Sequence, residues 1–304
     1  MLIIIALVWV VMQRRGDTTP VVATNSDRAL AAELRRDVET LCVNGGRNVY
    51  ARDALAAAEQ FLARTLPERQ AYVVDGVEVA NLILEIRGAK KPDEIVVIGA
   101  HYDSVDDSPG ADDNASGTAA LLALARMQWK PARTLRFVAF VNEEPPHFQT
   151  HAMGSWQYAR RCRARNEKVV AMLSLESIGY YDDREGSQQY PAPLAALHSN
   201  RGNFLGIASN VASRALTKRC EKAFRKHGRM PVESAVLPEA IPQIGWSDQW
   251  SFWQFGYAAV MVTDTAPFRN PHYHMRSDTP GTLDYIRLAI AVDSLQRVVT
   301  DLAQ

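Results

Sequence analysis

The chain opens on twelve consecutive apolar residues, MLIIIALVWVVM, followed at once by Gln13, Arg14 and Arg15. A membrane-spanning helix needs roughly 17–25 apolar residues, so this run is short for a span. Its length is that of a signal-peptide core, although no basic segment precedes it and no clear small-residue cleavage site follows. Residues 1–15 are read as an export signal or membrane anchor, which would place the protein outside the cytoplasm or on a membrane. A buried first element is the alternative. Residues 16–25 (GDTTPVVATN) hold turn formers without periodicity and read as a linker. Residues 26–304 read as one domain.

From Ser26 the apolar positions take helical spacing: Leu30, Leu34, Val38 and Leu41, then Leu55, Ala58 and Leu62 beyond the Asn44-Gly45-Gly46 turn. Two helices are predicted, the first capped by Ser26 or Asp27. After Pro67 the period shortens. Ala71–Val74 and Val77–Ile86, with Asp75-Gly76 between them, form a hairpin signal. Four continuous apolar runs follow, Ile95–Ala100, Thr134–Val141, Val169–Leu175 and Ala258–Thr263, as in strands buried on both faces. Helices are predicted over Ala115–Trp129, near Gly202–Arg225 and over Leu283–Leu302. Residues 177–250, rich in Gly, Pro and Ser, otherwise read as loops. Strands alternating with helices predict an α/β fold, its sheet mostly parallel and covered on both sides.

Lys and Arg together number 34, as do Asp and Glu, so the formal net charge is zero. Neither a basic field for nucleic acid nor a polybasic run for lipid headgroups is present. Cys42, Cys162 and Cys220 form no CxxC pair, which argues against a cysteine zinc site, and their odd number leaves at most one bridge within the chain.

The chemistry gathers where the apolar runs stop. Ile95–Ala100 leads to His101, Thr134–Val141 to Asn142-Glu143-Glu144, and Val169–Leu175 to Glu176. The last run passes through Thr263-Asp264-Thr265 to a loop with His272 and His274. In open α/β sheets ligands bind outside the carboxyl ends of the strands, so these side chains converge on one edge. Gly110–Gly117 adds Asp113 just before a helix. Histidine and carboxylate donors without cysteine suit a catalytic zinc site, and a carboxylate can bridge two metals about 3.5–4 Å apart.

Taken in order, H-Y-D-S (101–104), G-A-D-D-N-A-S-G (110–117), N-E-E (142–144), L-E-S-I-G-Y-Y (175–181) and Y-H-x-x-x-D-T (273–279) resemble the co-catalytic zinc aminopeptidases. Glutaminyl cyclases and glutamate carboxypeptidases are relatives in that family. The resemblance covers about residues 80–285. It implies a mixed, mostly parallel sheet sandwiched between helices and two zinc ions per chain. His101 and Glu176 would bind one ion, Glu144 and His274 the other, with Asp113 between them. Glu143 matches the general base and Tyr273 a donor to the oxyanion. Asp103 matches the carboxylate that orients His101, and Asp248 lies in a further motif behind the ligands. Three departures stand out. Glu176 replaces the commoner Asp, Gln249 follows Ser247-Asp248 where His is usual, and the Pro145–Ala152 loop is long and carries His147 and His151.

Outside this constellation the residues read blandly. His147, His151, His198 and His227 are expected in solvent, and His272 on a loop surface. Trp246, Trp250, Phe252 and Trp253 are expected in the core, with the option of lining an apolar pocket. The leading functional expectation is hydrolysis of peptides from the N-terminus by zinc-activated water. A cyclase-type acyl transfer and a carboxypeptidase are the alternatives. A non-catalytic binding module is disfavoured, because every metal position and Glu143 hold competent residues. A peptide is the expected partner, nucleic acid is not, and membrane contact is expected only through residues 1–12.

Overall fold

The computed structural model describes residues 22–190 and 199–304; the apolar run 1–12 and His198 lie outside them. Among the described residues no helix is long and apolar enough to cross a membrane.

Eight described strands form one sheet. They are β1 (Glu68–Val74), β2 (Val77–Ile86), β3 (Lys91–His101), β4 (Arg133–Phe140), β5 (Lys168–Glu176), β6 (Leu205–Asn210), β7 (Val232–Leu237) and β8 (Ala259–Thr263). Their spatial order is β1-β2-β4-β3-β5-β8-β6-β7. The centre, β4-β3-β5-β8, is parallel, while β1, β2 and the β6–β8 contact are antiparallel. The sheet is therefore mixed and mostly parallel, as expected.

Alternation sorts the layers. Val96, Ile98 and Ala100 of β3 join a core built with α1 (Asn25–Cys42), α2 (Arg52–Leu62), α3 (Gly117–Ala125), α5 (Arg214–His227) and α7 (Tyr285–Leu302). Ile95 and Val97 point to the opposite face, where α4 (Gly154–Ala164) and α6 (Gln249–Gln254) pack through Tyr158, Cys162, Phe252 and Trp253. Successive strand residues face opposite sides, so burial on both faces produces nearly continuous apolar runs, interrupted by Arg136 in β4 and Ser174 in β5.

Several expectations need correction. The first helix is capped by Thr24, not by Ser26 or Asp27; the Thr24 hydroxyl accepts the Asp27 N–H, and the Asp27 carboxylate accepts the Thr24 N–H in return. That capping box draws Thr24 and Asn25 out of the expected linker. The helix expected over Ala115–Trp129 is regular only over Gly117–Ala125. The segment near Gly202–Arg225 divides into strand β6 and helix α5, and β7 follows where loop was expected. No bridge forms: all three cysteines are free and buried.

Candidate active site

The carboxyl ends of β3, β4 and β5 and the loop after β8 bring the expected side chains together. The Asp113 carboxylate is central. Its Oδ1 lies 3.3 Å from His101 Nε2, and its Oδ2 lies 3.1 Å from His274 Nε2. Glu176 Oε2 is 3.1 Å from the same His101 nitrogen, and Glu144 Oε2 is 3.4 Å from the same His274 nitrogen. Glu143 Oε2 stands 3.9 Å from His101 Nε2. Three overlapping donor groups result among the described residues: His101–Asp113–Glu176 and Asp113–Glu144–His274, which share Asp113, and His101–Glu143–Glu144.

These distances fit zinc. Bonds of about 2.0–2.1 Å in a tetrahedron set ligand atoms about 3.3 Å apart. Glu144 Oε1 is buried and accepts no hydrogen bond within the protein, as an atom reserved for a cation would be. No cysteine enters the cluster.

The electrostatics make the same demand. Burial pushes the Glu143 and Glu144 carboxyls well above their usual range. Glu176 adds to the shift at Glu143, and Asp113 adds to it at Glu144. Burial alone would lower His101, but the Glu176 and Glu143 carboxylates outweigh it and hold the imidazole well above its ordinary value. Crowded buried carboxylates stay ionised together only with positive charge nearby, such as a histidine proton or a divalent cation.

A surrounding frame aims these groups. His101 Nδ1 lies 3.2 Å from the main-chain O of Asp103 and 3.6 Å from its Oδ1. The same carboxylate accepts the Glu143 N–H at 3.1 Å and the Glu144 N–H at 3.0 Å. Glu176 accepts hydroxyl donors from Ser247 at 2.6 Å and Ser177 at 2.9 Å. Asn114 Oδ1 accepts the Gly117 and Ser177 N–H groups, and its amide donates to Leu175 O. Gly117 permits this approach, since a Cβ there would lie 2.5 Å from Leu175 O. Asn142, Ser177 and His274 adopt left-handed φ values of 61°, 45° and 59°. Such conformations are uncommon outside glycine and here occur on three loops that carry site residues.

Asp248 is fully buried near His101, and burial pushes its carboxyl up to about 7. The Tyr273 ring stacks on His274 with centroids 3.9 Å apart. Burial, followed by Asp113, raises its hydroxyl and keeps it a donor. Sequence reasoning missed two contributors. Asp278, used only as a spacing mark, accepts the Asp112 and Asp113 N–H groups. Arg47, fully buried, donates to Tyr102 O, Pro109 O and Gly110 O and so fixes the turn before Asp113. His147 was expected in solvent but is buried, because the loop after Glu144 folds inward with its N–H on Glu144 O. His151 and His227 are exposed, as expected. Phe252 and Trp253 are core, while Trp246 lines an apolar trough beside Glu176 and Tyr273.

The model of peptidase family M28 matches residues 81–299, a span containing every residue of these donor groups. YfbL of Escherichia coli, an uncharacterized protein, is 37% identical over 233 residues, 73% of this chain and 71% of that one. A probable leucine aminopeptidase 1 of Trichophyton verrucosum is 27% identical over 227 residues, covering 69% of this chain. Only 55% of that relative's own length is spanned. The LapA aminopeptidase structure of Legionella pneumophila shares the fold, with a TM-score of 0.70 and 16% identity over 94% of this chain and 77% of that one. A matching family model over most of the chain, joined to a largely buried zinc-competent cluster, places this protein in peptidase family M28, among the zinc metallopeptidases.

Proposed function

We propose that the protein removes residues one at a time from the N-terminus of peptides, using two zinc ions and Glu143 as general base. One observation carries this reading. The two oxygens of Asp113 face two different histidines, while Glu143 lies beside the cluster and is needed in neither group that shares Asp113.

His101, Asp113 and Glu176 would hold one zinc, and His274, Asp113 and Glu144 the other. Zinc supplies Lewis acidity toward the scissile carbonyl and toward an attacking water. Glu143 then takes the water's proton and returns it to the departing amine. Asp103, through the Glu143 and Glu144 N–H groups, keeps the base and the neighbouring ligand in register. Tyr273 donates its hydroxyl to the developing oxyanion. The free amine of the substrate binds among the carboxylates at the Glu176 end.

A zinc-loaded digest of a peptide beginning with Gln, read by mass spectrometry beside its acetylated twin, tests the reading. Release of free Gln and protection by acetylation are expected. Loss of ammonia at constant chain length would instead mark a cyclase. Trimming of the acetylated peptide from its C-terminus would mark a carboxypeptidase.

A further inference from the structure

The sheet register lays two rows of residues from the cluster toward the far edge. Glu176 pairs with Thr263, Thr263 with Gly206, and Gly206 with Glu233. In the row behind, Ser174 pairs with Met261, Met261 with Ala208, and Ala208 with Ala235. Paired residues share a face, and this face is the one carrying α4 and α6. On β6 the two rows hold no side chain at Gly206 and a single methyl group at Ala208, so the sheet surface is hollow there. A Cβ at Gly206 would narrow the hollow and come within 3.2 Å of Thr263 O.

Phe204, Phe268, Ile244 and Trp246 wall this hollow into an apolar trough that reaches Glu176 and Tyr273. It encloses about 1000 Å³ of empty space, the open mouth included. No lysine or arginine is among the described residues that line it. Glu233, one strand beyond Gly206, is engaged by the Tyr190 hydroxyl and the Ser199 N–H. Two side-chain amides hold the Ile244-Gly245-Trp246 wall in place. Gln249 Nε2 donates to Ile244 O at 3.0 Å, and Gln149 Nε2, from the long loop after Glu144, donates to Gly245 O at 3.2 Å. The two departures at Gln249 and at the Pro145–Ala152 loop thus meet at one wall of the trough.

We propose that this trough selects peptides whose N-terminal residue is aromatic, phenylalanine or tryptophan, with Gly206 and Ala208 setting its depth. The proposal rests on the aminopeptidase reading above and names the substrate class of that site. With the substrate amine at the Glu176 end, the first side chain runs across Thr263 toward Gly206. Leucine spans about one interstrand step of about 4.8 Å and stops over Thr263, leaving the hollow at β6 unfilled. A phenyl or indole ring carries on over Gly206 and Ala208. Walls facing unfilled space forfeit dispersion contacts, whereas a ring restores them and meets Phe204, Phe268 and Trp246 in the edge and face contacts that aromatic groups favour. An acidic side chain would find no lysine or arginine among the described lining residues to offset its burial.

The test uses the zinc-loaded full chain and the anilides of phenylalanine, tryptophan and leucine. kcat/KM should favour each aromatic residue over leucine by about tenfold or more. Ala208→Leu places a branched side chain in the hollow and should bring both ratios to one or below. Gly206→Ala should lower them in the same direction. Leucine matching either aromatic residue in the wild-type protein, or ratios that a folded Ala208→Leu leaves unchanged, would overturn the proposal. The wild-type comparison decides even if the variants do not fold. Calorimetric binding of free L-phenylalanine and L-leucine reads the trough without turnover. If no anilide is hydrolysed, leucine included, the aminopeptidase reading fails. Tenfold tighter binding of phenylalanine would still support the trough's selectivity, and equal binding would sink it.

Discussion

The Asp278 carboxylate accepts the main-chain N–H of Asp113 at 3.1 Å, tying the loop that carries His274 to the turn that carries the central carboxylate. Its other oxygen accepts the Asp112 N–H at 2.9 Å. Asp278→Ala leaves both donors buried without this acceptor, at about 1–3 kcal/mol each. A lower Tm and weaker zinc binding are expected, the first from thermal unfolding of the apo protein and the second from competition with a chelator.

Asp103 faces the imidazole of His101 and both glutamate N–H groups at once. Asp103→Ala should weaken zinc binding by about 10–100-fold, the usual cost of losing a carboxylate behind a metal ligand. Titration with a chromophoric chelator would show it, and unchanged affinity would confine Asp103 to a structural role.

Glu143 and Glu144 are neighbours to which the proposed function gives separable roles. Glu143→Ala should retain zinc and lower kcat by about 10²–10⁴-fold. Glu144→Ala should lose metal as well as rate. Elemental analysis alongside steady-state kinetics distinguishes the two outcomes.

Removal of metal should abolish hydrolysis, and zinc should restore it. Active protein should hold close to two ions per chain, because two of the donor groups share one carboxylate. Full activity with well under one ion per chain would refute metal dependence.

Asp27 binds Arg229 through both oxygens, and Arg229 holds its carboxyl well below the usual carboxylate range. A carboxyl depressed in the folded state contributes stability above its unfolded value, near about 3.9, and loses that contribution as pH falls further. Asp27→Asn should therefore lower Tm at neutral pH. The gap from wild type should close as the pH drops below about 4. Paired melting curves across that range check it.

The centre of the sheet was legible because its strands are buried on both faces and write nearly continuous apolar runs. The cluster was legible because each run stops at a histidine or carboxylate. The far side of the sheet was not. Leu205–Asn210 and Val232–Leu237 are short, carry Gly, Ser and Glu, and flank a strongly amphipathic helix whose period absorbs the first of them. Glu233 consequently read as a loop residue, although sheet register aligns it with Glu176. Asp278 and Arg47 escaped for another reason. They act on main-chain N–H and carbonyl groups far away in sequence, and no local pattern records such partners.

The three thiols acquire a use as internal clocks. Burial pushes Cys42 up to about 11 and Cys162 and Cys220 to about 12, so the native chain presents almost no thiolate. A thiol reagent can then react only when the surrounding structure opens. Cys42 lies at the end of α1, with its Sγ on Pro109 O beside the turn before Asp113. Cys162 sits in α4 under the opposite face, and Cys220 in α5 on the same face as Cys42, against β6 and β7. The labelling rate of each would time the opening of a different region of one molecule, without a single introduced mutation.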